Sequence, residues 1–284
     1  MSRLAVPTRV GLLGWPVAHS RSPAMQNAAF AACGLAWAYL LLPTPPERLA
    51  DAVRGLRGFG LAGANVTIPH KAAIMPLLDE VTLEARAIGA VNTIVRQGER
   101  MIGHNTDALG FLRALREGGF EPRGCRAVLL GAGGAARAVL YALLAARAEV
   151  VVVNRTVATA NRLASAMSVL STAPISTLSL HDEALLQVAL NEANVLINAT
   201  SVGMEPHIDH SPLPESISLH EGLAVYDLVY SPRRTRLLEQ AEGAGARPID
   251  GLGMLIHQGA VAFELWTGQR APLDEMRRAA AKAP

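Results

Sequence analysis

Apolar residues in this chain gather in short, nearly continuous runs separated by stretches of helical period, the pattern of buried strands alternating with helices. Arg9 to Leu13 predicts a first buried strand that ends at Gly14-Trp15-Pro16. Ser22-Pro23 offers an N-cap with proline at the first helical position, opening a helix to Cys33 that Gly34 ends. Trp37 to Leu42 reads as the next strand, and Thr44-Pro45-Pro46-Glu47 as a capping box that starts a helix to Arg57. Ala62 to Thr67 predicts a third strand, running into Ile68-Pro69-His70-Lys71 and another helix start. This alternation argues for a parallel sheet wrapped by helices, in which ligands lie beyond the carboxyl ends of the strands. Ser20, Ser22, Asn65, Thr67 and Lys71 all fall at strand ends or helix starts. Ala90 to Arg96 and Met101 to His104 then read as short strands around Gln97-Gly98-Glu99, and Thr106 can cap a helix from Ala108 to Glu117.

The second half is organised by one strand, glycine turn, helix and strand. Ala127 to Leu130 is a buried-strand signature, Gly131-Ala132-Gly133-Gly134-Ala135-Ala136 breaks it, Arg137 to Arg147 is helical, and Val150 to Val153 ends at Asn154-Arg155-Thr156. Gly131 turns the chain tightly, Gly133 lets backbone amides approach a pyrophosphate, and small Ala136 allows the helix to pack on the strand. The helix amino terminus adds partial positive charge. Where an NAD enzyme places an acid for the ribose 2′-hydroxyl, this chain has Asn154 followed by Arg155, a pairing that suits a 2′-phosphate and hence NADP. The same pattern also fits a plain tight turn in an α/β sheet. Further on come a helix to Ser168, a weak strand near Pro174, a helix near Leu185 and strands at Val195 to Ala199 and Leu223 to Val229. A helix from Arg234 to Glu242, a short strand Arg247 to Ile249, and helices Met254 to Thr267 and Leu273 to Lys282 complete the chain.

With 284 residues and 50% hydrophobic composition, the chain can build one large or two ordinary cores. The 26 basic and 24 acidic residues leave a formal charge of +2 with no basic run, which argues against nucleic-acid binding. Cys33 and Cys125 match no metal or redox spacing and read as free thiols in a reducing compartment. Met1 to Val10 carries charges and Pro7 in place of an apolar signal core, and no apolar run reaches membrane-spanning length, so no membrane partner and a cytoplasmic location are expected. His207 and His210 come closest to a ligand pair but lack further ligands nearby, so no metal is expected.

Taken together, the motifs resemble the shikimate dehydrogenase family over nearly the whole chain. The matching segments are His19-Ser20-Arg21-Ser22-Pro23, Asn65-Val66-Thr67-Ile68-Pro69-His70-Lys71, Gly89-Ala90-Val91-Asn92-Thr93, Gly103-His104-Asn105-Thr106-Asp107, the glycine turn, Asn154-Arg155-Thr156, Asn198-Ala199-Thr200-Ser201 and Met254-Leu255-Ile256-His257-Gln258. The resemblance implies two α/β domains. Residues 1–107 and 252–284 would form a mostly parallel substrate domain, and residues 108–251 a doubly wound Rossmann-type NADP domain, with the C-terminal helices returning to the first. It also implies reversible, NADP-dependent reduction of 3-dehydroshikimate to shikimate by a monomer or homodimer. By that resemblance Ser20, Ser22, Thr67, Asn92, Asp107 and Gln258 hold the substrate, Lys71 with Asp107 carries the proton, and Tyr230 lies near substrate and nicotinamide. Gly131, Ala132, Gly133, Gly134, Ala135, Asn154, Arg155, Thr156 and Thr200 are the matching cofactor positions, with Leu228, Gly251 and Met254 bordering the nicotinamide.

The chemistry is coherent without the family. A hydride leaving an alcohol carbon requires that the hydroxyl lose its proton to a group able to return it, and a lysine oriented by a carboxylate can do this. Alone, Lys71 would read as a solvated helix-start lysine, Asp107 as a capping carboxylate, and Asn92 and Gln258 as buried amides. Three positions depart from the family pattern: Trp15, Gln26 and Thr159, the last standing where relatives carry another basic residue for the 2′-phosphate. The competing readings are a quinate/shikimate dehydrogenase of broader cofactor use, a folate-type methylene dehydrogenase, and a dinucleotide-sensing protein without turnover.

Overall fold

The computed structural model describes residues 6–170 and 173–283. Met1–Ala5, where the stretch read as lacking a signal core begins, lie outside the described residues. In chain order the elements are β1 (Thr8–Gly14), α1 (Ser22–Ala32), β2 (Trp37–Pro43), α2 (Leu49–Gly58), β3 (Gly63–Val66), β4 (Glu80–Val81), α3 (Leu83–Ile88), β5 (Thr93–Gln97) and β6 (Arg100–His104). They continue with α4 (Asp107–Glu117), β7 (Arg126–Leu130), α5 (Gly134–Ala145), β8 (Glu149–Asn154), α6 (Val157–Met167), β9 (Ile175–Ser179), α7 (Glu183–Glu192), β10 (Val195–Asn198), β11 (Ala224–Asp227), α8 (Arg236–Gly243), β12 (Arg247–Ile249), α9 (Leu252–Thr267) and α10 (Leu273–Lys282). The chain divides into two compact units, residues 1–106 with 256–284 and residues 107–255. Among the described residues no helix is long and apolar enough to cross a membrane.

The first unit is built on a sheet of order β2-β1-β3-β5-β6-β4. Three of its five pairings are parallel; β5 runs antiparallel to both β3 and β6, the latter because the positive φ of Gly98 turns the chain straight back into a hairpin. Leu13, Val53, Leu56, Ile74, Ile94 and Met101 form the core on one face. On the other, Phe30 of α1 lies 5.4 Å from the rings of both Trp37 and Phe263, and α10 packs on α1. The second unit is an all-parallel sheet of order β12-β11-β10-β7-β8-β9, in which the chain starts in the middle, winds out to β9, then crosses to β10. Its core gathers Val128, Leu130, Val153, Leu186, Leu196, Val225 and Leu237. Cys33 and Cys125 are both free, and burial pushes the Cys125 thiol up to about 11, which leaves it protonated and unreactive at neutral pH.

Local structure departs from the sequence pattern at four places. Ser22 is the first residue of α1 rather than its cap, because the Ser20 hydroxyl takes the Ser22 amide at 3.2 Å and turns the chain one residue earlier. The Thr44 capping box does not form. The turn opens one residue later, with Pro45 at the cap position of a 3₁₀ turn at Pro46–Arg48 that precedes α2, and the Thr44 hydroxyl donates instead to Leu42 O at 2.8 Å. The helix expected at Lys71 is a run of turns ending in a 3₁₀ turn at Met75–Leu77, since Pro76 removes the amide a continuing helix needs. Conversely, β4 and α3 were not anticipated, although Thr82 accepts the Ala85 amide and Gly89 closes α3 at φ 71°, both ordinary helix-end signals.

Gly63 shows how tightly the first sheet is closed. A Cβ there would fall 2.5 Å from Trp266 Nε1 and press on the Ile94 carbonyl, the pair joined by a 2.9 Å hydrogen bond. Gly63→Ala is expected to destabilise the protein by about 2–3 kcal/mol, seen as a lower urea midpoint with an unchanged slope. A wild-type midpoint would show that β3 moves to make room.

Candidate functional site

In the first unit the polar side chains gather where β1 and β3 end. Thr67 follows β3, and its amide donates to Leu13 O at 2.8 Å, extending the β1–β3 ladder past the strands. Gly14 faces it, and a Cβ at Gly14 would press on the Thr67 methyl. The Lys71 carbonyl accepts the Val91 amide at 2.7 Å and the Asn92 carbonyl accepts the Val66 amide at 2.8 Å, so two backbone bonds bring the loop after β3 against the entry to β5. Half-buried Lys71 and Thr67 are thereby placed beside Asn92.

Asn92 is 2% exposed, and its carboxamide is shared among several groups. Its Oδ1 accepts from the Thr106 amide at 2.7 Å and the Thr93 hydroxyl at 3.1 Å. Its Nδ2 donates to Thr106 Oγ1 at 2.9 Å and to Gln258 Oε1 of α9 at 3.4 Å. Thr106 precedes Asp107, a buried carboxylate at the first position of α4. Ser22, 6% exposed, opens α1, with half-buried Ser20 bonded to its amide. The first unit therefore carries Ser20, Ser22, Thr67, Lys71, Asn92 and Gln258, while Asp107 begins the second. Asn65, expected at a strand end, lies inside β3 and bonds Tyr39, Thr93 and the Asn92 carbonyl, and sequence reading missed Thr93.

In the second unit the remaining positions meet at the carboxyl ends of β8, β7 and β10. Gly131 has φ +103°, donates to Val153 O at 2.8 Å, and lies where a Cβ would come 3.0 Å from the Thr200 methyl, so only glycine fits. Gly133 caps α5, and a Cβ there would meet nothing within 4 Å. Half-buried Ala132, Gly134 and Ala135 flank Gly133, and the first amides of α5 lack partners within their own helix, while fully buried Ala136 packs the helix down. Beside the turn, the Asn154 carboxamide donates to Thr156 O at 3.0 Å, and Arg155 and Thr156 are exposed. At position 159, where a second basic residue was missed in the sequence, the Thr159 hydroxyl accepts from the Arg162 guanidinium at 3.0 Å. This arrangement fits a dinucleotide: amides for the diphosphate, a free space above the turn, and a guanidinium at the end of the second strand.

Thr200 is tied to the segment after β11 through a buried network. Its hydroxyl donates to Asn198 Oδ1 at 2.7 Å, and Asn198 Nδ2 donates to Asp227 Oδ1 at 2.9 Å. Asp227, fully buried, also accepts from the Val229 amide at 3.0 Å and the Thr235 hydroxyl at 2.6 Å. This fixes the segment holding half-buried Leu228 and Tyr230. Gly251 lies against the same segment so closely that a Cβ would fall 2.8 Å from Val229 O and press on the Leu228 carbonyl, and buried Met254 follows one turn later. Burial raises the Asp227 pKa against the opposing pull of its three donors. Among the described residues no group of three or more His, Cys, Asp or Glu is placed to hold a metal ion.

Comparison with known proteins gives the following likenesses. Family profiles match along the chain: a shikimate dehydrogenase substrate binding domain over residues 12–94, a shikimate/quinate 5-dehydrogenase over 115–234, and a shikimate 5′-dehydrogenase C-terminal domain over 251–281. The shikimate dehydrogenase (NADP(+)) of Methanopyrus kandleri is 52% identical over 272 residues, 95% of this chain and 93% of the relative. The structure of a shikimate dehydrogenase in complex with NADP+ superposes with a TM-score of 0.91 at 40% identity, covering 98% of this chain and 96% of that one. That of the Thermus thermophilus enzyme with NADP(H) and shikimate gives 0.87 at 42% identity, covering 98% and 100%.

The Asp227 network carries a pH signature. Because the folded state holds this proton more tightly than the unfolded chain, its stabilising contribution is complete below the usual carboxylate range and is lost as pH rises through the raised value. Asp227→Asn has no such proton. Its melting temperature, relative to wild type, should therefore rise as pH climbs above the usual carboxylate range, and level off once pH has passed the raised value. A difference that stays constant across melts over that range would mean that Asp227 titrates normally in the fold.

Proposed function

The chain belongs to the shikimate dehydrogenase family, and from that premise we infer its function: reversible, NADP-dependent reduction of 3-dehydroshikimate to shikimate, on the route to chorismate and the aromatic amino acids. It is an oxidoreductase acting on a CH–OH group, with NADP as cofactor and a small-molecule substrate. The first unit takes the part of the substrate domain and the second that of the NADP domain. The observation that carries the reading is the Asn92 carboxamide, which ties the loop bearing Lys71 to Gln258 and to the residue before Asp107 within a family match that spans the chain.

In this reading Ser20, Ser22, Thr67, Asn92, Gln258 and Tyr230 bind the hydroxyls and carboxylate of the substrate. Hydroxyls and amides suit that task because each both donates and accepts, and a site built to bond hydroxyls rejects analogues lacking them. Bound NADP supplies the hydride acceptor in the oxidation of the alcohol carbon. Lys71 Nζ takes the proton from the hydroxyl on that carbon and returns it in reverse, and Asp107 shares in that proton chemistry. The amides of Gly131–Ala135 hold the diphosphate, Thr200 closes over the turn, Asn154, Arg155 and Thr156 receive the adenosine ribose and its 2′-phosphate, and Leu228, Gly251 and Met254 border the nicotinamide. A cytoplasmic location and a monomeric or homodimeric state complete the proposal; sedimentation of the purified protein measures the latter.

The specific alternative is a quinate/shikimate dehydrogenase with broader cofactor use, favoured by the position-159 departure and by the quinate in the matching family description. Nicotinamide reduction followed by absorbance, with shikimate or quinate crossed against NADP or NAD, separates the two. Turnover confined to shikimate with NADP is expected. Comparable rates with quinate or NAD would establish the broader enzyme, and silence in all four would leave a dinucleotide-sensing protein.

Two variants test the residue roles. Lys71→Ala should keep NADP binding and lose at least about 10²-fold in kcat. Turnover near the wild-type level would remove Lys71 from the proton chemistry. Arg155→Ala should weaken NADP by about 10- to 100-fold, the size of a lost charge-assisted hydrogen bond, with NAD little changed. Equal losses for both cofactors would mean that the 2′-phosphate is read elsewhere.

A further inference from the structure

Tyr39 lies on β2, an edge strand that supplies none of the residues assigned above to substrate or cofactor, yet its side chain is among the most constrained in the first unit. It is 3% exposed. Its hydroxyl is 2.8 Å from Asn65 Oδ1 on β3, across the intervening β1. Its backbone is clamped on both sides by Asn27 of α1, which accepts the Tyr39 amide at 2.8 Å and donates to its carbonyl at 3.2 Å. Its ring lies 6.1 Å from that of Trp266 on α9.

The direction of the Tyr39–Asn65 bond follows from the other end of the amide. Asn65 Nδ2 donates to Thr93 Oγ1 at 2.9 Å and to Asn92 O at 3.2 Å, which leaves Oδ1 facing the phenol; the phenol must therefore donate. From there the chain of bonds continues without a gap. The Thr93 hydroxyl donates to Asn92 Oδ1 at 3.1 Å, the same oxygen accepts the Thr106 amide at 2.7 Å, and Asn92 Nδ2 reaches Thr106 Oγ1 and Gln258 Oε1. Every member before Gln258 is buried, so each amide orientation is set by its neighbour and not by water.

We propose that Tyr39 is a positioning residue for the dehydrogenase reaction: through Asn65 and Thr93 its hydroxyl fixes the orientation of the Asn92 carboxamide, and with it the placement of Gln258 and of the backbone leading into Asp107. The proposal rests on the functional reading above. Removing the phenol oxygen leaves Asn65 Oδ1 buried without that donor and lets the amide turn over, which presents an oxygen in place of a nitrogen to Thr93 and Asn92 O. The disturbance reaches the site as a rotated Asn92, not as a lost substrate contact.

The test is steady-state kinetics of Tyr39→Phe and of the pair Thr93→Val and Thr93→Ser, alongside the melting temperature of each. Tyr39→Phe and Thr93→Val should lower kcat with shikimate about tenfold, while Thr93→Ser, which keeps the hydroxyl, retains most of it. The KM for NADP should stay within about twofold of wild type throughout, because the cofactor positions lie elsewhere. The double variant Tyr39→Phe with Thr93→Val should lose little more than either single, since both break one chain. A Tyr39→Phe that melts lower yet turns over shikimate at the wild-type rate would reduce Tyr39 to a structural role and overturn the proposal. So would a Thr93→Ser as slow as Thr93→Val. A wild type that reduces NADP with no form of the substrate would remove the functional reading itself and the role of Tyr39 with it.

Discussion

A carboxamide sealed from water has two donors and an acceptor oxygen to satisfy, and an error in any of them costs about as much as a lost hydrogen bond. Asn92 meets that requirement in a single orientation. Its oxygen serves the Thr106 amide and the Thr93 hydroxyl, and its nitrogen serves Thr106 and Gln258, so β5, the turn into α4 and helix α9 have to agree on one geometry. The Val66 amide on the Asn92 carbonyl and the Val91 amide on the Lys71 carbonyl add the loop after β3 to the same constraint. Four stretches far apart in sequence are registered by one buried residue, and the first unit's candidate side chains occupy the positions that this registration leaves them.

The second unit depends on a different kind of restriction, the close approach of backbones. Gly131 turns with a positive φ beneath Thr200, and Gly251 lies on the Leu228 and Val229 carbonyls; neither site has room for a methyl group. What these contacts define, Asp227 then holds. As a buried carboxylate with three donors and a raised pKa, it joins the end of β10, the segment after β11 and the start of α8. A parallel sheet points all its strand ends the same way, so the glycine turn, Asn154 to Thr156, Thr200 and the Leu228 segment are delivered to one edge by topology alone.

These two devices suit the two halves of the chemistry. A cofactor common to many enzymes can be met mainly by backbone amides and a guanidinium, features that a turn and a strand end supply with little side-chain machinery. A polyhydroxylated ring offers several nearly equivalent hydroxyls, and telling them apart needs side chains whose donors and acceptors are fixed in advance. The buried polar chain from Tyr39 to Asn92 provides that fixing in the first unit, at the cost of placing amides and hydroxyls where apolar side chains would pack with less risk.

The sequence by itself determined the elements whose signals are local. Apolar runs located the strands, the Gly131 to Ala136 turn with its flanking strands marked a dinucleotide unit, and the order of short motifs led to the family. Ser20, Ser22, Asn65, Thr67 and Lys71 could be picked out as candidates because strand ends and helix starts are readable from turn residues and caps, although Asn65 lies inside β3, and Asp107 came with the family motif. Where local signals competed, the reading failed: Pro76 cancelled the helix expected at Lys71, and the Thr44 hydroxyl turned to Leu42. Only the tertiary structure decided that Tyr39, a residue with no motif around it, reaches Asn65, or that Asn198, Asp227 and Thr235 form one network. Hydrogen bonds across 26 or 29 residues of chain are set by strand order and register, which arise from the packing of whole sheets and leave no periodic trace in the residues that make them.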